Sequence, residues 1–245
     1  LVILGLLVGG VLTGQSLIRA AELRSITTQI TQYTTAAQSF RDKYFALPGD
    51  MTNATSFWTA DAAGCPSGGG STGVCNGDGN GQVATNPGNT CENQEFWRHL
   101  ARAGLIEGSY TTLVAASCFG PATFGTHAPA TKLSNVGAML SFTGNIVTGA
   151  TFPNTLLYPG SYGNAFYIGS RGGTIHLTAG GAFKPEEAWN IDTKMDDGKP
   201  DSGIVSSILL GTFNTGCATS ATPGVAAYAL SASGQLCALV VKSGF

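Results

Sequence analysis

The sequence predicts an α+β fold in which the C-terminal half of a long N-terminal α-helix packs on an antiparallel β-sheet domain. Apolar residues repeat at helical spacing over residues 1–47, and short apolar runs separated by turn residues follow between residues 110 and 241. Six cysteines indicate a disulfide-stabilised domain. We divide the chain into an apolar helical segment, residues 1–24, and a globular domain, residues 25–245, which includes the amphipathic half of the helix.

The first half of the predicted helix is apolar. Residues 1–12 are all apolar or glycine, and the first charged residue is Arg19. A membrane span needs roughly 20 apolar residues, so we expect about nine further apolar residues upstream of Leu1. Each glycine in a helix interior costs roughly 0.5–1 kcal/mol of helix stability relative to alanine, so a lone soluble helix would avoid four of them. The glycines here therefore indicate close packing against other helices or a lipid-facing composition. They are Gly5, Gly9, Gly10 and Gly14.

The second half of the helix carries one apolar face. Its apolar residues fall three and four positions apart, a spacing that predicts a single buried stripe. The stripe consists of Leu23, Ile26, Ile30, Tyr33, Ala37, Phe40 and Tyr44. Proline disfavours helical geometry in the residue before it, so Pro48 should end the helix at Leu47.

Beyond this helix the sequence predicts two shorter helices and a sheet. Residues 92–105 form an amphipathic helix, in which we interpret His99 as a structural histidine rather than a metal ligand, and residues 186–191 form a short helix. Apolar runs at residues 139–142, 156–158, 165–168 and 174–177 predict antiparallel strands that the first helix covers. Residues 226–230 and 237–241 predict a final hairpin.

The cysteines predict disulfides formed in an oxidising compartment. They form an even set without a Cys-x-x-Cys pair, a spacing that disfavours zinc and haem sites. We prefer pairings that close a local loop or join neighbouring elements, and free buried cysteines remain the alternative. The preferred pairs are Cys65 with Cys75, Cys91 with Cys118, and Cys217 with Cys237.

A cluster of carboxylates after the short helix is the best candidate for site chemistry. It consists of Asp192, Asp196, Asp197 and Asp201. Together with a turn at Gly198, these oxygens could bind calcium, the one cofactor that we consider. The alternative is an Asp-Gly turn held by local hydrogen bonds, with Lys194 and Lys199 offsetting the charge. An Asn-Gly-Asp-Gly-Asn-Gly run at residues 76–81 lacks the closing acidic ligand of an EF-hand and predicts solvated turns.

The N-terminal region resembles a known family. The apolar run of residues 1–12, the amphipathic helix and the sequence Lys43-Tyr-Phe-Ala-Leu-Pro-Gly-Asp50 together resemble the start of type IV pilins and type II secretion pseudopilins. The segment Glu95-Phe-Trp-Arg-His-Leu-Ala-Arg-Ala-Gly-Leu-Ile106 resembles a block in some prepilin-like proteins. The resemblance implies a pilin-like fold, leader cleavage by a prepilin peptidase, N-terminal methylation and a docking glutamate upstream of Leu1. It also implies local unwinding of the glycine-containing segment on assembly.

The function that the resemblance implies is a structural subunit of an extracellular filament, the bacterial fimbrium. The helix is held in the inner membrane until the pilus assembly machinery extracts it, and it then bundles with other copies of the chain into a helical homopolymer. The apolar segment forms the filament core, and the stripe seats the globular domain. The core residues are Leu1, Ile3, Leu4, Leu6, Leu7, Val8, Val11 and Leu12.

The sequence gives little support for an enzyme or a nucleic-acid-binding protein. It has no phosphate-binding loop and no His-Glu-x-x-His pair, and its Gly-x-Ser-x-Gly match, Gly69-Gly-Ser-Thr-Gly73, lies in a run of turn residues instead of between an apolar strand and a helix. A net charge of −2 provides no electrostatic footprint for nucleic acid.

Three functions compete for this chain: a major pilin for adhesion, motility or DNA uptake, a secretion pseudopilin, and a membrane-anchored binding module that forms no polymer.

Overall fold

The predicted N-terminal helix is present as α1 (Val2–Tyr44) in the computed structural model. The structure describes residues 2–61, 73–84, 91–111, 123–147, 157–171, 178–209 and 216–245. The side chains of residues 2–9 and of Leu12 lie outside this description. The side chains of α1 are therefore discussed from Gly10 onward.

The C-terminal half of α1 buries the predicted apolar stripe. Five stripe residues are buried, and the residues at the two ends of the stripe, Leu23 and Tyr44, pack against the same core while staying partly exposed. The buried five are Ile26, Ile30, Tyr33, Ala37 and Phe40. Burying one large apolar side chain contributes about 1.5–3 kcal/mol, so this face holds the helix on the globular domain.

The helix ends at Tyr44, three residues before the predicted end at Leu47. Phe45 adopts a left-handed backbone conformation with φ 54°. Its N–H still donates to the carbonyl oxygen of Arg41 at 2.8 Å, which closes the last turn. The helix therefore ends at a left-handed residue, three positions before the proline that was predicted to end it.

The globular domain contains a four-stranded antiparallel sheet. Its strands are β1 (Val136–Ile146), β2 (Gly160–Ser170), β3 (Val205–Ser207) and β4 (Leu239–Lys242), in the spatial order β1-β2-β4-β3. The predicted strands at residues 139–142 and 165–168 lie within β1 and β2. Tyr158, from the strand predicted at residues 156–158, lies outside every strand of the described residues. The strand predicted at residues 174–177 lies outside the described residues.

The predicted C-terminal hairpin is wrong. β4 pairs with β2 and β3 instead of with residues 226–230, and Tyr228 forms an isolated bridge with Ala218. The reason is the composition of β4, where Leu239, Val240 and Val241 are consecutive apolar residues. Such a run suits a central strand covered on both faces, whereas a hairpin edge with one solvated face favours alternation.

Both faces of the sheet are buried. Phe166 and Ile168 of β2 belong to the large core that also contains the α1 stripe. Their neighbours Ala165 and Tyr167 belong to a second cluster on the opposite face. The alternation follows from the strand geometry, in which successive side chains point to opposite faces.

Two helices connect α1 to the rest of the domain. α2 (Glu92–Arg102) contacts both α1 and β1, and α3 (Pro185–Met195) contacts both α1 and β3. The rings of Tyr33 and Trp97 meet edge to face with centroids 4.9 Å apart, and Tyr33 also lies 6.4 Å from Phe166 of β2. The fold is therefore α+β, with a long N-terminal helix and an antiparallel sheet.

Candidate functional site

The N-terminal part of α1 carries exposed apolar side chains. We call residues 2–18 the stem. Val11, Leu17 and Ile18 are 58%, 67% and 63% exposed, respectively. Among the described residues, no atom outside the helix lies within 4 Å of the position that a Cβ would take at Gly10 or Gly14. Burying large apolar side chains is favourable, so this exposed surface is available to pack against another apolar surface.

The base of the stem is joined to α3 by an ion pair. Arg19 Nε donates to Glu187 Oε1 at 2.7 Å, and Arg19 Nη2 donates to Glu187 Oε2 at 2.8 Å and to the carbonyl oxygen of Ala182 at 3.3 Å. Glu187 Oε2 also accepts from the backbone N–H of Lys184, the N-cap residue of α3. The hydrogen bond from Arg19 keeps the pKa of Glu187 below its usual value, although burial opposes the shift.

Val11 is the one predicted filament-core residue whose side chain the structure describes. Leu1 lies outside the described residues, and the other predicted core residues lie in the part of α1 without described side chains. The exposure of Val11 is compatible with the predicted role.

The acidic loop brings together three of its four predicted ligands. Carboxylate oxygens of Asp192, Asp196 and Asp197 lie within 4.8 Å of one another, and this group does not include Asp201. Asp192 lies within α3, which extends one turn beyond its predicted end at residue 191, and its side chain is buried. The carboxylate of Asp201 instead accepts a hydrogen bond from the N–H of Gly224.

Hydrogen bonds within the protein already occupy these carboxylates. Asp192 accepts from Tyr228 Oη at 2.8 Å and from the N–H of Gly198 at 3.0 Å. Asp196 accepts from the N–H groups of Ile204 and Val205. Burial raises the pKa of Asp192 to about 7, with a smaller contribution from the neighbouring carboxylates. The geometry therefore accommodates both alternatives for this loop, the internally bonded turn and the cation site.

A second acidic group was missed by the sequence analysis. Carboxylate oxygens of Asp50, Asp78 and Glu92 also lie within 4.8 Å of one another. Asp50 accepts from the N–H groups of Gly79, Asn80 and Gly81, at 2.7, 3.0 and 2.8 Å. These bonds organise the run of turns at residues 78–81. The three acids are up to 42 residues apart (92 minus 50), so no local spacing could reveal the group.

A buried ion network lies beneath α2. Arg98 pairs with Glu95 on its own helix and with Asp61 at 3.0 Å, and all three side chains are at most 1% exposed. Glu95 Oε2 accepts from the N–H of Cys75 at 3.0 Å. Burial raises the pKa of Glu95 to about 7, while Arg98 opposes the shift. Arg98 thus ties the segment at Asp61 to α2.

His99 is a structural histidine, as the sequence analysis favours. Its Nδ1 accepts from the N–H of Gly49 at 2.9 Å, so its Nε2 carries the proton and donates to the carbonyl oxygen of Cys75 at 3.0 Å. Burial lowers its pKa to about 4. The neutral ring therefore connects α2 to both segments that it contacts.

The predicted disulfide between Cys217 and Cys237 is present. Cys75 and Cys91 are also disulfide-bonded. Their predicted partners, Cys65 and Cys118, lie outside the described residues, so those two pairings remain predictions. Within the described part of the chain, no helix combines the length and the apolar character needed to cross a membrane. No protein-family model, curated protein or solved structure matches this chain.

Proposed function

We propose that this chain is the structural subunit of an extracellular, type IV pilus-like filament. The observation that carries the proposal is the stem, a helical extension that holds Val11, Leu17 and Ile18 in solvent and has no charge before Arg19. Apolar helices of this kind gain free energy by bundling with copies of themselves. A contact that repeats head to tail without closing generates a helical filament.

The proposal includes a pilin-like arrangement in which the C-terminal half of α1 packs over the antiparallel sheet. Two observations support it. The buried stripe of α1 shares one core with Phe166 and Leu239 of the sheet, and Tyr33 approaches Phe166. α2 fills the space beside this contact, since it touches both α1 and β1. In the filament, the domains would then surround the bundled stems.

The assembly route follows from the same proposal. The stem is held in the inner membrane before assembly, a prepilin peptidase removes a leader, and the assembly machinery moves the subunit to the cell surface. Filaments sheared from the cell surface should contain this chain in abundance, with a methylated N-terminal residue. Intact-mass and N-terminal fragmentation analysis tests both points. Absence of the chain from the sheared fraction would count against a pilin.

A charge placed in the stem should block assembly. We expect Leu7→Glu and Leu17→Glu to abolish filaments, because a carboxylate in an apolar bundle is not solvated. Leu17 is exposed in the subunit, so Leu17→Glu should leave the thermal unfolding of the globular domain unchanged. Gln38→Glu is the matched control, since it adds the same charge at an exposed position in the domain half of α1. Normal filaments from either stem variant would refute the bundle model.

The second candidate function is a secretion pseudopilin, which remains in the envelope. The grouping of Asp192, Asp196 and Asp197 favours it, because the resemblance implies a calcium-binding loop in the major pseudopilins. Calcium titration followed by thermal unfolding separates the candidates. A rise in the unfolding midpoint that Asp197→Asn removes, and Asp42→Asn at an exposed site does not, would favour the pseudopilin. An unchanged midpoint in calcium would assign the loop to an internal turn.

The third candidate, a membrane-anchored binding module, predicts no polymer. Electron microscopy of the sheared surface fraction tests it directly, because filaments built from this chain would exclude it.

A further inference from the structure

An ion pair joins α1 to α3 at the junction between the stem and the globular domain. Arg19 and Glu187 meet through two parallel hydrogen bonds, and a third bond joins Arg19 to the carbonyl oxygen of Ala182. The two-pronged geometry restricts rotation as well as distance, because both groups are planar and share two contacts.

The packing next to this pair is incomplete. A cleft of about 190 Å³ lies between α1 and α3 and includes Leu23 and Thr27 on one side and Ile191 on the other. Apolar side chains there leave open space instead of interdigitating. The ion pair therefore lies beside an open cleft, on the stem side of the apolar contact between α1 and α3.

The α3 side of the pair is rigidly mounted. Ala188 and Ile191 of α3 are buried in the large core, and Asp192 binds Tyr228 through a buried hydrogen bond. The carboxylate of Glu187 also accepts from the N–H of Lys184 and so is held at the start of α3. Arg19 is thus attached to a fixed point on the domain.

We infer that Arg19 and Glu187 form a positioning pair that sets the direction of the stem relative to the globular domain. The pair lies where the exposed part of α1 begins, so a small change at the junction is amplified along the helix. Val11 lies about 12 Å along the helix from Arg19, and a swing of about 20° would move it by about 4 Å. The inference concerns the single chain and stands whether or not the stems assemble.

The test measures direction and stability separately. Spin labels are attached at Val11 on the stem and at Ser233, an exposed domain residue, through a non-cysteine chemistry that leaves the disulfides intact. Pulsed electron paramagnetic resonance then gives the distance distribution in detergent micelles. We expect Arg19→Gln to broaden the distribution and to shift its mean by several ångströms, by the lever geometry above.

Stability should respond differently from direction. The side chains of Arg19 and Glu187 are 29% and 13% exposed, and partly exposed ion pairs contribute little to unfolding free energy. We therefore expect the unfolding midpoint of Arg19→Gln to stay within a few degrees of the unsubstituted chain. A pair with only a structural role would change the midpoint without changing the distance distribution, and that result would overturn the inference.

Arg24→Gln is the matched control, because it removes the same charge from an exposed position five residues further along α1. It should leave the distance distribution unchanged, and a broadening equal to that of Arg19→Gln would overturn the inference. Arg19→Lys preserves the charge but loses the two-pronged contact, so it should broaden the distribution to an intermediate degree. An unchanged distribution in both Arg19 variants would also overturn it.

Discussion

Phe45 adopts a backbone conformation that suits glycine better than phenylalanine. It follows the last residue of α1 with φ 54°, and its side chain is 91% exposed. Left-handed geometry costs an L-residue roughly 1–2 kcal/mol, and glycine is the usual residue at this position after a helix. The exposed ring offsets little of that cost.

We expect Phe45→Gly to stabilise the protein by about 0.5–1 kcal/mol, the relief of strain less the extra freedom of glycine in the unfolded chain. Phe45→Ala is the control, because it removes the ring but keeps the Cβ that causes the strain. Denaturant unfolding measures both variants. Equal stability of the two would show that the left-handed geometry is not costly here.

His99 should make stability depend on pH. Its folded pKa of about 4 lies below its ordinary value of 6.5, because burial disfavours the charged ring. Between these values the unfolded chain binds a proton that the folded chain does not. The contribution is therefore complete above pH 6.5 and is lost as pH falls towards 4. The charged groups near His99 are Glu95, which faces its Nε2, and Arg98 and Asp61, which form ion pairs in the same buried network.

We expect the unsubstituted chain to lose about 2 kcal/mol more stability than His99→Gln between pH 7 and pH 4.5, at about 1.4 kcal/mol per unit of pKa shift. Glutamine can donate and accept but does not titrate in this range. Glu95 has a raised pKa and acts in the opposite direction, but it is present in both proteins and cancels to first order in the comparison. Urea unfolding at several pH values gives the two curves, and parallel curves would contradict the assignment.

At the scale of elements, α1 is held on the domain by aromatic packing at the C-terminal end of its stripe. Phe40 is fully buried and lies against Tyr44, with ring centroids 4.5 Å apart, and its ring stacks parallel to that of His99 at 6.1 Å. Trp58 closes the cluster at 6.1 Å. The final turns of α1 are thus fixed by aromatic packing.

We expect Phe40→Ala to destabilise the domain by about 3–5 kcal/mol, the usual cost of removing a buried phenylalanine. Phe57→Ala is the matched control, since Phe57 belongs to the same aromatic cluster but is 55% exposed. Its cost should be below about 1 kcal/mol. Chemical denaturation of both variants tests this ranking, and similar losses would show that burial does not control the docking of α1.

For the whole molecule, the disulfide between Cys217 and Cys237 joins the C-terminal loops to the sheet. Cys237 lies two positions before β4, exchanges backbone hydrogen bonds with Phe183, and lies 20 positions after Cys217. A cross-link of this length restricts the unfolded chain and stabilises the folded state by about 3 kcal/mol.

We expect the double variant Cys217→Ser/Cys237→Ser to lose about 3 kcal/mol and to lower the unfolding midpoint accordingly. The single variant Ser233→Ala, inside the same loop and exposed, should change neither quantity measurably. Thermal unfolding by calorimetry compares them. A double variant as stable as the original chain would mean that the loop is held by its other contacts.

The sequence alone was sufficient for features that depend on near neighbours along the chain. The period of 3–4 residues predicted α1 and its buried stripe, and the apolar runs predicted the centres of β1 and β2. Periodicity and propensity act over a few residues, and these features are decided at that range. The pairing of Cys217 with Cys237 was also predicted, because it closes a local loop of 20 positions.

The tertiary structure alone decided which distant residues meet. Arg19 binds Glu187 across 168 positions, and Asp50 gathers the N–H groups of residues 79–81. β4 lies between β2 and β3 instead of forming the predicted hairpin. A carboxylate could pair with any of several basic or N–H groups, and an apolar strand could pair with any of several other strands. Local sequence does not distinguish these partners, so the choice among them depends on how all elements pack into one core. That choice is a property of the whole folded chain, because each long-range contact is stabilised only when the others have formed.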